Sequence, residues 1–160
     1  MPRILFVCTG NLCRSPMAQF MLRGRLGELG VDGAHVLSAG FIAQEGAPAC
    51  PVAVRMMAGI GIDMSGHKAR ALTRALLEWA DNVLVMEKRH LKLARMMAPG
   101  AAERMALFTD YVKGKENMDV PDPYGEPEDL YILALDILRE GVNSLAEEIA
   151  GNRPGSIQIA

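Results

Sequence analysis

A cysteine and an arginine near the start of the chain have the types and spacing needed to bind and attack a phosphoryl group. Cys8 follows the apolar stretch 4–7, and Arg14 follows the intervening residues Thr-Gly-Asn-Leu-Cys. When a strand turns through a short loop into a helix, the loop N–H groups and the helix dipole converge on one point that favours an anion. The spacing therefore predicts a phosphate-binding loop with Cys8 at its base.

The two side chains have complementary chemistry. The planar guanidinium of Arg14 can bind two phosphate oxygens at once and follow them as the phosphoryl group flattens during transfer. Concentrated N–H dipoles and a fixed positive charge stabilise a thiolate relative to a thiol, so we expect Cys8 to be ionised at neutral pH. An ionised Cys8 is a nucleophile for phosphorus.

Three further residues of this segment suit such a site. Gly10 and Asn11 tolerate the left-handed backbone that an anion-binding nest requires. Ser15, followed by Pro16, is predicted to be the N-cap of the next helix. In a second interpretation, the Ser15 hydroxyl donates to the Cys8 sulfur and stabilises it as nucleophile and as leaving group.

A distant segment offers the acid that phosphate-ester cleavage needs. A departing phenolate has a pKa near 10, so a positioned acid lowers the barrier to its release, and the resulting carboxylate can then activate water. Asp122 lies between Pro121 and Pro123, which restrict the backbone around it. The alternative is a plain turn, because Asp-Pro is a common turn signal.

Four segments together resemble the low-molecular-weight protein tyrosine phosphatases. Val-Cys-Thr-Gly-Asn-Leu-Cys-Arg-Ser-Pro resembles the signature loop of that family, and Asp-Pro-Tyr at 122–124 resembles its general-acid loop. Ser-Ala-Gly at 38–40 and His-Lys-Ala-Arg at 67–70 resemble two further segments, in family order. The resemblance covers residues 1 to about 150.

The resemblance implies a role for each matching residue. Cys8 would be the nucleophile that carries a phosphocysteine intermediate, Arg14 the phosphate clamp and Asp122 the general acid and base. Phosphate binding and loop support would come from Thr9, Gly10, Asn11, Leu12, Cys13, Ser15, Ser38 and His67. No cofactor and no metal are implied.

The substrate pocket is predicted from three apolar or aromatic residues. By family analogy Leu12 faces the leaving group, and its apolar side chain favours an aromatic ring. Tyr124 and Phe41 are candidates for the other walls, with a core or loop-packing role as the alternative for Phe41. We therefore expect phosphotyrosine as the substrate.

Two alternatives to a tyrosine phosphatase remain open. A related branch hydrolyses protein phosphoarginine and also resembles this chain at 38–43 and in Asp-Pro-aromatic-Gly, although it tends to carry Thr where Leu12 stands. The more remote alternative is a non-catalytic phosphate-binding module.

The other cysteines and the histidines carry weaker signals. Three cysteines form neither a disulfide framework nor a paired metal-ligand pattern. Cys13 could form a reversible disulfide with oxidised Cys8 or be a small buried residue, and Cys50 is expected to be structural. His90 lies in a basic segment that predicts a solvated helix face.

Composition limits the partners. A net charge of -2 and a pI near 5.9 give no electrostatic footprint for nucleic acid. The first apolar run is too short for a signal peptide or a membrane span, and reduced thiols suit a cytoplasmic enzyme. The expected partner is a phosphorylated protein, with a tyrosine kinase as one candidate, and no feature assigns an oligomeric state.

The elements that position these residues follow from hydrophobic periodicity and from helix start and stop signals. Strands are predicted at 3–7, 35–38, 82–86 and 105–108, and helices at 16–29, 51–58, 73–78, 88–97 and from 127. Strands separated by helices predict one α/β domain with a four-stranded parallel sheet covered on both faces, which is a Rossmann-like phosphatase fold. We place the domain at 1–150 and a frayed tail at 151–160. Ligands of such sheets bind beyond the carboxyl ends of the strands, where Cys8 falls.

Overall fold

A four-stranded parallel sheet positions the signature loop. The computed structural model describes residues 1–152. The strands are β1 (Arg3–Cys8), β2 (His35–Gly40), β3 (Asn82–Val85) and β4 (Met105–Leu107), in the spatial order β2-β1-β3-β4. The predicted α/β fold with a parallel sheet is confirmed.

Alternate residues of β1 point to opposite faces of the sheet, and each face is covered by helices. Ile4 and Phe6 pack into one hydrophobic core, while Leu5 and Val7 pack into the other. The helices are α1 (Arg14–Glu28), α2 (Pro51–Gly59), α3 (Arg74–Trp79), α4 (Lys88–Met97) and α5 (Glu128–Gly151). α1, α2 and α5 cover the first face, and α3 and α4 cover the second.

The register brings several chain segments to one edge of the sheet. Cys8 is the last residue of β1 and pairs with Gly40, the last residue of β2. On the other side of β1, Val7 pairs with Val85 at the end of β3. Because the carboxyl ends of parallel strands lie together, whatever follows β1, β2 and β3 meets around Cys8.

The helix boundaries differ from the predicted ones at two functionally relevant places. α1 begins at Arg14 with Cys13 as its N-cap, and Met17 N–H already donates to the Cys13 carbonyl at 3.0 Å. The prediction of Ser15 as the N-cap is therefore wrong, because the chain becomes helical before it reaches Ser15. At the other end, Gly151 is the last residue of α5 rather than part of a frayed tail, and 153–160 lie outside the described residues.

No helix within residues 1–152 combines the length and the apolar character that crossing a membrane requires.

Candidate active site

The signature loop turns sharply at Asn11. This residue has a φ of 55°, a left-handed conformation that asparagine tolerates better than most residues. Within loop 8–15, all of which is described, the left-handed conformation falls on Asn11 and not on Gly10, for which it was also expected. The turn directs the Asn11 N–H at the Cys8 sulfur, 3.3 Å away.

A short hydrogen-bond chain holds Cys8, the predicted nucleophile. Cys8 is buried, and its Sγ lies 2.8 Å from Ser15 Oγ. Asn11 Nδ2 donates to the same Ser15 oxygen at 2.8 Å. Since that oxygen accepts from Asn11, the Ser15 hydroxyl hydrogen is free to point at Cys8. The interpretation of Ser15 as a hydrogen-bond donor to sulfur therefore has the required geometry.

Asn11 is in turn fixed by residues from two other segments. Its Nδ2 donates to Ser38 Oγ at 2.9 Å, and its main-chain carbonyl accepts from His67 Nε2 at 2.8 Å. Burial lowers the pKa of His67, which keeps the ring neutral and its Nε2 protonated toward this carbonyl. The Asn11 Oδ1 accepts from the Arg70 N–H at 2.9 Å. Ser38 and His67 thus support the loop by holding Asn11.

Arg14 is the largest fully buried side chain among residues 1–152, and it is held at both of its Nη nitrogens. Its Nη1 donates to the Val120 carbonyl at 2.8 Å. Its Nη2 lies 2.8 Å from Glu87 Oε2 and 3.6 Å from Asp122 Oδ2. The guanidinium is therefore oriented before any phosphate binds, which reduces the reorganisation needed during the reaction.

Glu87 contacts the predicted phosphate clamp and was missed from the sequence. It lies at the junction of β3 and α4 and is mostly buried. Burial opposes its ionisation, but the hydrogen bond from Arg89 and the charge of Arg14 outweigh burial and lower the pKa of Glu87. The Glu87 carboxylate is thus a buried counter-ion for Arg14.

His90 is the second missed residue, and its prediction as part of a solvated face is wrong. The ring is buried, with Nε2 3.0 Å from Thr9 Oγ1 and 3.5 Å from Glu87 Oε2. Burial lowers the pKa of His90 to about 4. β3 is the neighbour of β1, so the first turn of α4, which follows β3, faces the signature loop. His90 in that turn therefore points toward the loop although the helix is basic.

The predicted catalytic side chains converge on one pocket of about 100 Å³. It is lined by Cys8, Thr9, Gly10, Leu12, Cys13, Arg14, Asp122 and Tyr124. Asp122 is about half exposed at the mouth, and its Oδ1 accepts from the Tyr124 N–H at 3.2 Å. Phe41 does not reach this pocket, because its ring stacks on His90 with centroids 5.2 Å apart.

The arrangement can do phosphoryl transfer from its own side chains. It holds a thiol that accepts from the Asn11 N–H, a buried guanidinium in the same pocket and an exposed carboxyl at the rim. Among residues 1–152, no group of three or more His, Cys, Asp or Glu side chains is placed to hold a metal ion.

Comparison with known proteins agrees with this geometry. The family model for low molecular weight phosphotyrosine protein phosphatase matches residues 3–154. A probable low molecular weight protein-tyrosine-phosphatase, EpsP, of Ralstonia nicotianae is 38% identical over 149 residues, spanning 91% of this chain and 94% of the relative. A protein-arginine-phosphatase of Geobacillus stearothermophilus is 35% identical over 147 residues, spanning 92% and 95%.

A solved structure is similar over the same length. The YwlE arginine phosphatase, in a mutant with a phosphorylated active-site serine, superposes with a TM-score of 0.87 at 33% identity. The match covers 94% of this chain and 97% of that one. The expectation of a cysteine-dependent phosphatase is confirmed at the level of the family, and since the model match extends over nearly the whole chain, the protein belongs to the low molecular weight phosphotyrosine protein phosphatase family.

Proposed function

We propose that this protein hydrolyses phosphotyrosine in proteins through a phosphocysteine intermediate on Cys8. The observation that carries the proposal is the shared pocket of Cys8, Arg14 and Asp122 at the carboxyl edge of the sheet. A nucleophile, an oriented cation and an acid around one small cavity are the parts that metal-free phosphoryl transfer requires.

In the first step the Cys8 thiolate attacks phosphorus, and the bond between phosphorus and the tyrosine oxygen breaks. Asp122 donates its proton to that oxygen, so the leaving group departs as neutral phenol. Arg14 and the loop N–H groups hold the three remaining phosphate oxygens as their charge is redistributed.

In the second step water attacks the phosphocysteine, and the bond between sulfur and phosphorus breaks. Asp122, now a carboxylate, accepts the proton of that water. The Ser15 hydroxyl, 2.8 Å from the sulfur, stabilises the thiolate as it leaves. Inorganic phosphate is released, and the Cys8 thiolate is regenerated.

The mouth of the pocket supports an aromatic substrate. Leu12 and Tyr124 both line it, and the exposed Tyr124 ring can pack against a phenol. The second candidate is an arginine phosphatase, which is favoured by the similarity to two proteins with that name. An apolar Leu12 offers no hydrogen bond to a guanidinium leaving group, and for this reason we favour tyrosine.

The deciding experiment uses one peptide sequence in two forms, carrying phosphotyrosine or phosphoarginine. We expect a higher kcat/KM for the phosphotyrosine form and, after rapid quench, phosphate bound to Cys8. A clear preference for the phosphoarginine form would establish the second candidate. Binding of both peptides without phosphate release would instead indicate a recognition module.

The matched control for the trapping experiment is Cys8→Ser. This change keeps a small polar side chain beside Ser15 but removes the thiolate, so turnover is expected to fall to background. Full turnover in excess EDTA is also expected, because each step uses only side chains of the protein.

A further inference from the structure

The third cysteine lies against the signature loop. Cys50 is the N-cap of α2, and its N–H donates at 3.1 Å to the Leu12 carbonyl, in the peptide unit that leads into Cys13. Both sulfurs also lie within hydrogen-bonding distance of the same group, the Tyr131 hydroxyl. The two residues therefore lie side by side, which is the first requirement of a disulfide.

One hydroxyl group contacts both sulfurs. The Tyr131 hydroxyl oxygen lies 2.9 Å from the Cys50 sulfur and 3.8 Å from the Cys13 sulfur. Burial opposes ionisation of the Cys50 thiol, but hydrogen bonds outweigh burial and lower the pKa of Cys50. A lowered pKa makes the thiolate form of Cys50 more accessible than that of an ordinary cysteine.

Cys13 has the opposite character. It is almost fully buried, and burial together with the neighbouring Cys50 and Cys8 raises its pKa well above the ordinary range. The pair thus joins a more readily ionised thiol, Cys50, to one that stays protonated, Cys13. In such a pair the more readily ionised sulfur is oxidised first and the second thiol completes the disulfide.

A small oxidant has a route to Cys50 that does not pass through the catalytic pocket. Cys50 is half-buried on the wall of a groove of about 540 Å³, which adjoins the catalytic pocket and shares Leu12 and Tyr124 with it. Cys8, in contrast, is 3% exposed at the base of its own pocket.

We propose that Cys50 is a redox modification site that forms a reversible disulfide with Cys13, independently of Cys8. The Cys50 thiolate attacks hydrogen peroxide, the O–O bond breaks, and the sulfur becomes a sulfenic acid; the departing hydroxide takes up from solvent the proton that Cys50 had released and leaves as water. The Cys13 sulfur then bonds to the Cys50 sulfur, the Cys13 proton passes to the departing hydroxyl group, and a second water leaves. Two thiols are oxidised by two electrons, and one peroxide is reduced to two waters.

This disulfide acts on the signature loop directly. Cys13 lies between Leu12 and Arg14, so the bond ties the loop to the start of α2. It also removes Cys13 as a partner for an oxidised Cys8, because one sulfur cannot form both bonds.

The test uses the full chain with Cys8→Ser, in which Cys13 and Cys50 are the remaining cysteines. After exposure to hydrogen peroxide we expect the count of free thiols to fall from two to zero, peptide mapping to show the Cys13–Cys50 pair, and a thiol reductant to restore both thiols. The matched control, Cys8→Ser with Cys50→Ser, is expected to form no internal disulfide. Adding Tyr131→Phe to Cys8→Ser is expected to slow formation of the pair about fivefold, the effect of one lost hydrogen bond.

Two results would overturn the proposal. One is that both thiols of the Cys8→Ser protein still react with an alkylating reagent after a peroxide dose that oxidises Cys8 in the unchanged protein. The other is that the unchanged protein, oxidised with its pocket filled by inorganic phosphate, yields only a Cys8–Cys13 pair. All readouts are thiol counts and peptide maps, so a failure of the proposed phosphatase activity would be seen separately.

Discussion

Glu87 Oε2 lies 2.8 Å from Arg14 Nη2, so the cation that is proposed to bind phosphate already carries a buried carboxylate partner. The pair orients the guanidinium, but it also places a negative charge close to the bound anion. Orientation of Arg14 favours turnover, whereas the nearby negative charge weakens phosphate binding. Removal of the charge alone therefore separates the two effects.

The Glu87→Gln change is expected to lower kcat about tenfold, because an amide holds Arg14 less firmly. Inhibition by inorganic phosphate is expected to become tighter by about threefold to tenfold, since a repulsion of about 1 kcal/mol is removed. Steady-state kinetics with inorganic phosphate as a competitive inhibitor measure both kcat and the inhibition constant of phosphate. Glu103→Gln removes the same charge from an exposed position and serves as control, and weaker phosphate inhibition in Glu87→Gln would contradict the argument.

The role of Asp122 predicts a dependence on the leaving group. The Asp122→Asn change keeps the shape of the side chain but removes the proton, so kcat/KM on phosphotyrosine should fall about 100-fold or more. The loss should shrink as the leaving group of a series of aryl phosphates becomes more acidic and needs less protonation. Asp129→Asn, at another exposed aspartate, is the control. An equal loss on all members of the series would indicate that Asp122 only shapes the loop.

Gly40 is required by the close approach of the signature loop. A Cβ at this position would lie 2.7 Å from the Thr9 carbonyl oxygen and 2.8 Å from the Asn11 nitrogen, both backbone atoms. We expect Gly40→Ala to lower the free energy of unfolding by about 1–3 kcal/mol and to reduce turnover more than tenfold, because the loop must move. Chemical denaturation and kinetics test this.

Gly24→Ala is the matched control for the Gly40 change. Gly24 lies inside α1, and a Cβ there meets no heavy atom within 4 Å. Alanine is the better helix former, so this variant is expected to be more stable by up to about 1 kcal/mol and to keep full turnover. Equal losses in both variants would show that packing against the loop is not the cause.

His90 predicts a loss of stability in acid. Burial lowers its pKa from the ordinary value of 6.5 to about 4, so between these values the unfolded chain binds a proton that the folded protein rejects. The free energy of unfolding should be fully present above about pH 6.5 and fall as the pH drops toward 4, by up to about 3 kcal/mol from His90. The lowered pKa of His67 acts in the same direction.

Denaturation curves at several pH values test the His90 prediction. His90→Gln keeps a donor for Thr9 but cannot take up a proton, so its stability should decline less steeply between pH 6.5 and 4. His35→Gln, at an exposed position, should follow the unchanged protein. Parallel curves for His90→Gln and the unchanged protein would show that another group controls the acid response.

The strands and helices were largely predictable because their signals are local. The buried runs that form β1 and β3 and the apolar spacing in α5 predicted those elements within one or two residues. The start of α1 was not predicted correctly. Serine is a common N-cap residue, but the Ser15 hydroxyl is engaged with Cys8 and Asn11 instead.

Within the site, the distant residues Asp122, Ser38 and His67 were named because each belongs to a recognisable motif, whereas two residues that belong to none were missed. Glu87 and His90 sit in a segment rich in charge, which predicts a solvated helix face. Their placement depends on β3 lying next to β1, a fact of strand order that hydrophobic patterns do not carry. A polar residue directly after a buried strand was the available signal, since the ends of neighbouring parallel strands converge. Phe41 shows the converse, because an aromatic next to a family motif packs on His90 instead of facing substrate.

The contact between Arg14 and the Val120 carbonyl joins positions 106 residues apart. During synthesis the thiol of Cys8 therefore leaves the ribosome long before the carbonyl that anchors its partner cation and before Asp122, which follows two residues later. A nascent chain that ends ahead of this segment carries the proposed nucleophile without the anchored clamp or the acid. In the proposed mechanism turnover therefore requires that synthesis has passed Asp122, and we expect an N-terminal fragment that ends before Val120 to show none.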